Sequence, residues 1–291
     1  MDELHRDDEP GEEPKEEPRR VWGLALGILA VLAVIAVLYY VLVLRKPEAP
    51  EAVALAPAPA VQTEKEQAPA APGLEPLAFP AVSLAASDPA VRQFATAITA
   101  NPDFAKWLLS NDLIRTFVVS VDNVANGLSP KSHIGFFSPQ GGFRIVRTKA
   151  GTFIDPASYA RYAPVVDVVR SLDATAAVRL YRAIQPLLQD AYNELGYPGV
   201  NFEDTVVKAM AELLGTPVVN GPIGLSSKVL SYAMTDATLE ALNPAQKQLL
   251  RVGPKGVEAV QAKIRDLAAV MGVPASRLPA SRTYTPVAKS R

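Results

Sequence analysis

Carboxylates, aromatic rings and one histidine are the side chains here whose types and spacing bear on chemistry. Asp190 and Glu194 lie four residues apart in a segment of helical periodicity, so both carboxyls project from one helix face. Asp122 and Asp167 fall on other predicted helices. Two carboxyls held ~5–9.5 Å apart across a cleft can hydrolyse a glycosidic bond, which makes a carboxylate-dependent cell-wall hydrolase one reading. The competing reading is a solvated helix face, with Asp190 paired to Arg182 or Arg179.

Other chemistries have less to draw on. The chain has two histidines and no cysteine. His5 lies in an acidic N-terminal stretch, so His133 is the sole candidate base, placed among Ser129, Lys131 and Ser132. One histidine without thiolates falls short of a zinc site. No phosphate-cradling Gly-Lys-Ser/Thr loop occurs, and residues 81–270 contain no Ser-x-x-Lys. No catalytic, cofactor-binding or metal-ligating set is therefore assigned from sequence, and no cofactor is expected. Tyr159, Tyr162, Tyr181, Tyr192 and Tyr197 read either as a stacking surface for sugar or as half-buried rings filling helix contacts. Leu249 to Val257 resembles a helix-hairpin-helix element, with Gly253-Pro254 at the turn and Lys247, Arg251 and Lys255 around it. Backbone amides at such a turn can hold a phosphate. Arg251, however, stands where the first glycine of that hairpin is usual.

The elements that must position these residues follow from pattern. Val21 to Leu44 is uncharged throughout and long enough, at ~1.5 Å per residue, to span a ~30 Å hydrocarbon core. Trp22, Tyr39 and Tyr40 sit near its ends, where such rings favour the interface. Arg6, Lys15, Arg19 and Arg20 precede it, against Arg45 and Lys46 after it, which favours a cytoplasmic N-terminus and an extracytoplasmic remainder. Residues 1–20 carry nine acidic and four basic side chains and read as a disordered acidic tail. Residues 45–80, rich in Ala and Pro, read as a semi-extended linker. Residues 81–270 have a net charge of only +2, which argues against a polyanionic partner such as nucleic acid, and 271–291 reads as a flexible basic tail without acids.

Within 81–270, helix starts are marked by Asp88-Pro89, Asn101-Pro102, Asp155-Pro156 and Asn243-Pro244. Helices are predicted over 103–109, 112–126, 156–170, 174–195 (broken at Pro186), 202–214, 235–242, 245–252 and 256–271. Residues 133–154 read as a small hairpin or meander, and 218–225 as a loop or short strand. The fold class is therefore mainly α: a compact bundle of eight or nine short helices with a small β element, preceded by one transmembrane helix and a disordered linker. In the 112–126 helix, Phe117 is expected to be fully buried on the stripe from Leu113 to Val124.

Four segments together resemble a bacterial family known as domain of unknown function 3014. They are Asn111–Arg115 with Val121–Asn123, Asp155–Tyr162, Glu194–Pro198 and Pro244–Arg251. The resemblance spans about residues 83–270 and implies a bacterial inner-membrane setting; it supplies no catalytic residues. The expected function is a single-pass, non-enzymatic envelope protein whose periplasmic domain binds a protein partner or peptidoglycan. The wall hydrolase and the helix-hairpin-helix nucleic-acid binder are the alternatives.

Overall fold

The computed structural model describes residues 74–286 apart from 136, 137, 140 and 230. The acidic tail 1–20, the uncharged run Val21–Leu44, most of the linker and the last five residues lie outside the described residues. No described helix is long and apolar enough to cross a membrane.

Eleven α-helices occur among the described residues: α1 Asp88–Ala95, α2 Pro102–Trp107, α3 Leu113–Ala125, α4 Ala157–Ala160, α5 Ala163–Ser171, α6 Ala174–Ala183, α7 Gln185–Glu194, α8 Phe202–Leu214, α9 Ala237–Glu240, α10 Pro244–Leu250 and α11 Pro254–Met271. The strands are β1 Ile145–Thr148, β2 Gly151–Ile154, β3 Val218–Val219, β4 Gly224–Ser227, β5 Tyr232–Met234 and β6 Thr283–Tyr284. This corrects the expected mainly α bundle of eight or nine helices with a small hairpin or meander. An antiparallel sheet of order β1-β2-β4-β5 stands beside the helices, with a separate parallel pair β3-β6. The hairpin expected near 133–154 is β1-β2, in register Ile145↔Ile154. It gains β4 through Phe153↔Gly224, and β4 gains β5 through Leu225↔Met234. Strands this short have too few residues to show alternation, so pairing partners far along the chain decide them.

The helix count rises because a helix starts at Asp88-Pro89 and because Pro164 divides the predicted 156–170 segment, while 174–195 breaks at Pro186 as expected. Pro186 sits in the first turn of α7, directly after α6, and Pro164 in the first turn of α5, directly after α4. Proline lacks the N–H that an interior position needs but fits the first turn. Asn101 and Asn243 accept from Asp103 N and Gln246 N, as their positions predict, and Asp155 accepts from Ala157 N. Asp88 does something else. Its carboxylate accepts from the amides of Asp112 and Leu113 at 2.8 and 2.9 Å and so caps α3, a different helix.

The main core joins α1, α3, α6, α7 and α8 through Val91, Ile114, Val118, Val178, Leu188, Phe202 and Val206. Phe117 is not part of it. It is 45% exposed and meets Phe202 edge-on at 6.3 Å. At ~100° per residue Phe117 stands about 60° round the helix from Ile114, at the margin of the buried stripe. A second cluster, Val219, Ile223, Leu239 and Leu250, lies beneath the sheet with Ile154, Met234 and Tyr284.

Both boundaries of the predicted domain move outward. Leu74, Leu77 and Phe79 pack on the main core, so the stretch read as linker up to 80 is already folded at 74. At the other end Val218 N donates to Arg282 O and Asn220 N to Tyr284 O, so the expected flexible tail is tied into the fold as β6. The strand is held by these backbone bonds and by the Tyr284 hydroxyl, which donates to Asp236 at 2.7 Å.

Candidate functional site

A groove of about 750 Å³ opens between the four-stranded sheet and helices α4 and α10. Its apolar floor is Ile154, Ile223, Leu225 and Met234, of which Ile154, Ile223 and Met234 are shared with the smaller core. One wall is the segment Ser158–Tyr162, the other the face of α10 with Lys247, Leu250 and Arg251. The β4-β5 hairpin and Phe143 form the rim. These walls are two of the segments through which the chain resembles the family named above.

Local hydrogen bonds explain how the first wall is held. Ser158 is 3% exposed, and its hydroxyl donates to Arg144 O and accepts from Arg144 N at 2.9 and 2.8 Å. Asp155 N donates to the same carbonyl at 3.1 Å, and its carboxylate lies 3.3 Å from Arg144 Nε. This fixes the start of β1 against α4. Behind the wall, Tyr159 lies on the α10–α11 turn. A Cβ added to Gly253 would come within 2.7 Å of the Tyr159 ring, and Gly253 has φ +75°, so glycine is required there twice over. Burial raises the Tyr159 hydroxyl above its ordinary pKa.

The groove is electrostatically lopsided. Lys131, Arg161, Lys228, Lys247 and Arg251 line it, against the single carboxylate of Glu240. Glu240 accepts from Met234 N at 3.0 Å, and one of its oxygens lies 3.3 Å from Lys247 Nζ and 3.9 Å from Lys228 Nζ. The Met234 amide first, then Lys247, holds this carboxyl below its usual range, against the opposing effect of burial. Arg251 donates to Gln248 at 2.6 Å and lies on the exposed side of α10. Arg161 Nε is shielded from solvent and has no hydrogen-bond partner, while its guanidinium lies 5.9 Å from the Tyr162 ring centre. At the rim, Phe143 and Tyr232 pair with ring centres 6.0 Å apart while remaining 47% and 38% exposed.

The residues singled out from sequence are dispersed. His133 is exposed, following a 3-10 turn at Pro130–Ser132. Asp190 is exposed, whereas Glu194 is held by two bonds from Arg115, at 2.7 and 3.1 Å, so the two carboxyls do not converge on a cleft. That Arg115 contact lowers the pKa of Glu194. Asp122 accepts from the Asn126 amide, and Asp167 is exposed on α5. Arg182 pairs with Glu203 at 2.7 Å and Arg179 donates to Glu75 O, so neither serves Asp190.

The tyrosines split three ways. Tyr159 and Tyr162 enter the groove, and Tyr181 and Tyr192 fill the main core. Tyr197 stacks on Tyr192 at 4.8 Å. Gly253 is buried beneath Tyr159 with its amide bonded to Leu250 O, which is not an open phosphate cradle. Among the described residues no group of three or more His, Cys, Asp or Glu is placed to hold a metal ion. Phe143, Tyr232, Lys228 and Glu240 were not singled out, and no local spacing links them.

A family model described as protein of unknown function (DUF3014) matches residues 113–268, more than half of the chain. No curated protein and no solved structure matches.

Proposed function

Because the chain belongs to the DUF3014 family of proteins of unknown function, its activity has to be read from its own side chains, and we propose that it is a non-enzymatic binding protein of the bacterial envelope that attaches to the cell wall through the groove. The observation that carries this reading is the concentration of five cations against one carboxylate, beside two exposed rings, in a domain of nearly balanced charge. A cleft lined by one sign of charge focuses the field on an anionic ligand, and exposed rings supply the apolar contact that a sugar face needs. The placement rests on sequence. The uncharged run Val21–Leu44 and the basic excess ahead of it support an inner-membrane setting with the N-terminus in the cytoplasm and the folded part in the periplasm.

The test uses the full chain in a mild detergent, sedimented with purified peptidoglycan sacculi. It is expected to pellet with the sacculi, and the Lys247→Glu, Arg251→Glu double variant to remain in the supernatant while keeping its circular dichroism spectrum. Failure of the unaltered chain to pellet, or undiminished pelleting of the folded double variant, overturns the proposal.

A further inference from the structure

We infer that the groove selects a glycopeptide bearing discrete carboxylates, the chemistry of a peptidoglycan stem peptide on its sugar, with the sugar ring against Phe143 and Tyr232 and a carboxylate against Arg161, Lys247 and Arg251. This deepens the wall-binding reading and rests on it. Three features of the groove carry it.

The first is the division of labour along the lining. The two rings stand at the rim with large parts of their surface uncovered, and they touch each other rather than the core. The guanidiniums come from the two walls. A ligand that satisfies both must carry an apolar ring face and an anion a few bonds apart.

The second is the kind of anion. Guanidinium groups present a planar fork that matches carboxylate and phosphate oxygens. Arg161 and Arg251 bring two such forks to the two walls of the groove, and Glu240 is the one acid among its lining residues. Lys247 already demonstrates the contact with a carboxylate, in its 3.3 Å approach to Glu240.

The third is Glu240 itself, which separates a carboxylate ligand from a continuous polyanion. Its carboxylate is held in the groove by Met234 N and two lysines, so a polyphosphate, teichoic or nucleic-acid chain laid along the groove would bring one of its phosphates against a like charge. A stem peptide, with spaced carboxylates and amines, can place an amine there instead.

The experiment is calorimetric titration of the full detergent-solubilised chain with a disaccharide-tetrapeptide muropeptide, the same muropeptide with its carboxyls amidated, the tetrapeptide alone, and inorganic polyphosphate. Amidation is expected to weaken binding at least about tenfold, the loss of one charge-assisted contact. Removing the sugar, or replacing both rings by Phe143→Ser and Tyr232→Ser, is expected to weaken it similarly. At pH 7 polyphosphate is expected to bind appreciably only after Glu240→Gln. If sacculi are bound but amidation has no effect, the inference falls and wall binding stands. If the tetrapeptide alone binds as tightly as the muropeptide, the occupant is an acidic peptide. If polyphosphate binds the unaltered chain more tightly, the occupant is a polyanion. Either result overturns the inference. If sacculi are not bound at all, the wall-binding reading itself fails.

Discussion

The helical body and the sheet both leave some large apolar side chains at the surface, but the sheet side sets its exposed rings at the rim of the groove. In the body, Phe202, Leu188, Val118 and Val178 are 1–2% exposed, and α3 is pressed against α7 and α8. On the sheet side, Phe143, Val146 and Tyr232 remain 38–47% exposed, and Val229 at the β4-β5 tip is wholly so. Burial of apolar surface contributes about 25 cal/mol per Å², so the body holds most of the stabilisation. The sheet, anchored where Ile154 and Met234 pack on the smaller cluster, can leave rings at the rim of a cationic groove. Stability and recognition are therefore separable in this fold, and substitutions can be chosen to strike one without the other.

The sharpest separation comes from two phenylalanines that touch. Phe202→Ala, at 2% exposure and in contact with Tyr192 and Phe117, is expected to destabilise the chain by about 3–5 kcal/mol. Phe117→Ala, starting from 45% exposure, is expected to cost roughly 1–2 kcal/mol, because only part of its surface leaves water on folding. Urea unfolding of both measures the contrast. Equal losses would mean that the body extends over the α3 margin and that the division drawn above is misplaced.

A polar bond between elements gives a smaller effect on the same side of the comparison. Gln261, 3% exposed on α11, donates to the carbonyls of Leu213, Leu214 and Thr216 at 3.3, 3.2 and 2.8 Å, and so closes the C-terminal end of α8. Gln261→Leu preserves most of the volume and removes the donor. The expected loss is about 1–3 kcal/mol, the cost of leaving buried carbonyls without a partner, with sacculus binding at wild-type level in the folded protein. An unchanged midpoint would show that these carbonyls find other donors.

The two regions were also unequally legible in sequence. Body helices announce themselves by period and by caps: 202–214 coincides with α8, and the predicted 112–126 with α3 to within a residue at each end. Asn101 and Asn243 cap the helices their positions foretold. Where the reading failed, the deciding contact was distant. Asp88 caps α3 because the chain folds back by 24 residues, and β4 is a strand because Phe153 pairs with Gly224. A Cβ at Gly224 would come within 2.3 Å of Thr235 Oγ1, a constraint no local pattern records. The groove was least visible. Its cations are drawn from Lys131 to Arg251; in sequence Lys247 and Arg251 stand out only as neighbours of the Gly253-Pro254 turn, and Arg161 and Lys228 read as ordinary solvated charges. Tyr159 and Tyr162 stand in sequence within a tyrosine cluster, but Tyr181 and Tyr192 of that cluster belong to the core and Tyr197 stacks on Tyr192 from outside.

The smallest predicted effect tests the sheet side through Glu240. The Met234 N–H and Lys247 lower its folded pKa below the unfolded value. A depressed carboxylate contributes stability that is fully present above its unfolded pKa, about 4.3, and is lost as pH falls through the folded pKa. The site is partly open to water, so the contribution is small and screened. Glu240→Gln is accordingly expected to leave stability at pH 7 little changed and to flatten the part of the acid stability curve below about pH 4.3 that this group controls. The groove should respond more than the fold does. In the unaltered chain, protonation of Glu240 releases Lys228 and Lys247 from their shared counter-ion, so polyphosphate binding should rise as pH falls through the folded pKa. In Glu240→Gln the pH dependence of that binding should vanish. Binding that rises equally in both would assign the titration to another group and would remove Glu240 as the charge that separates this groove from a general polyanion site.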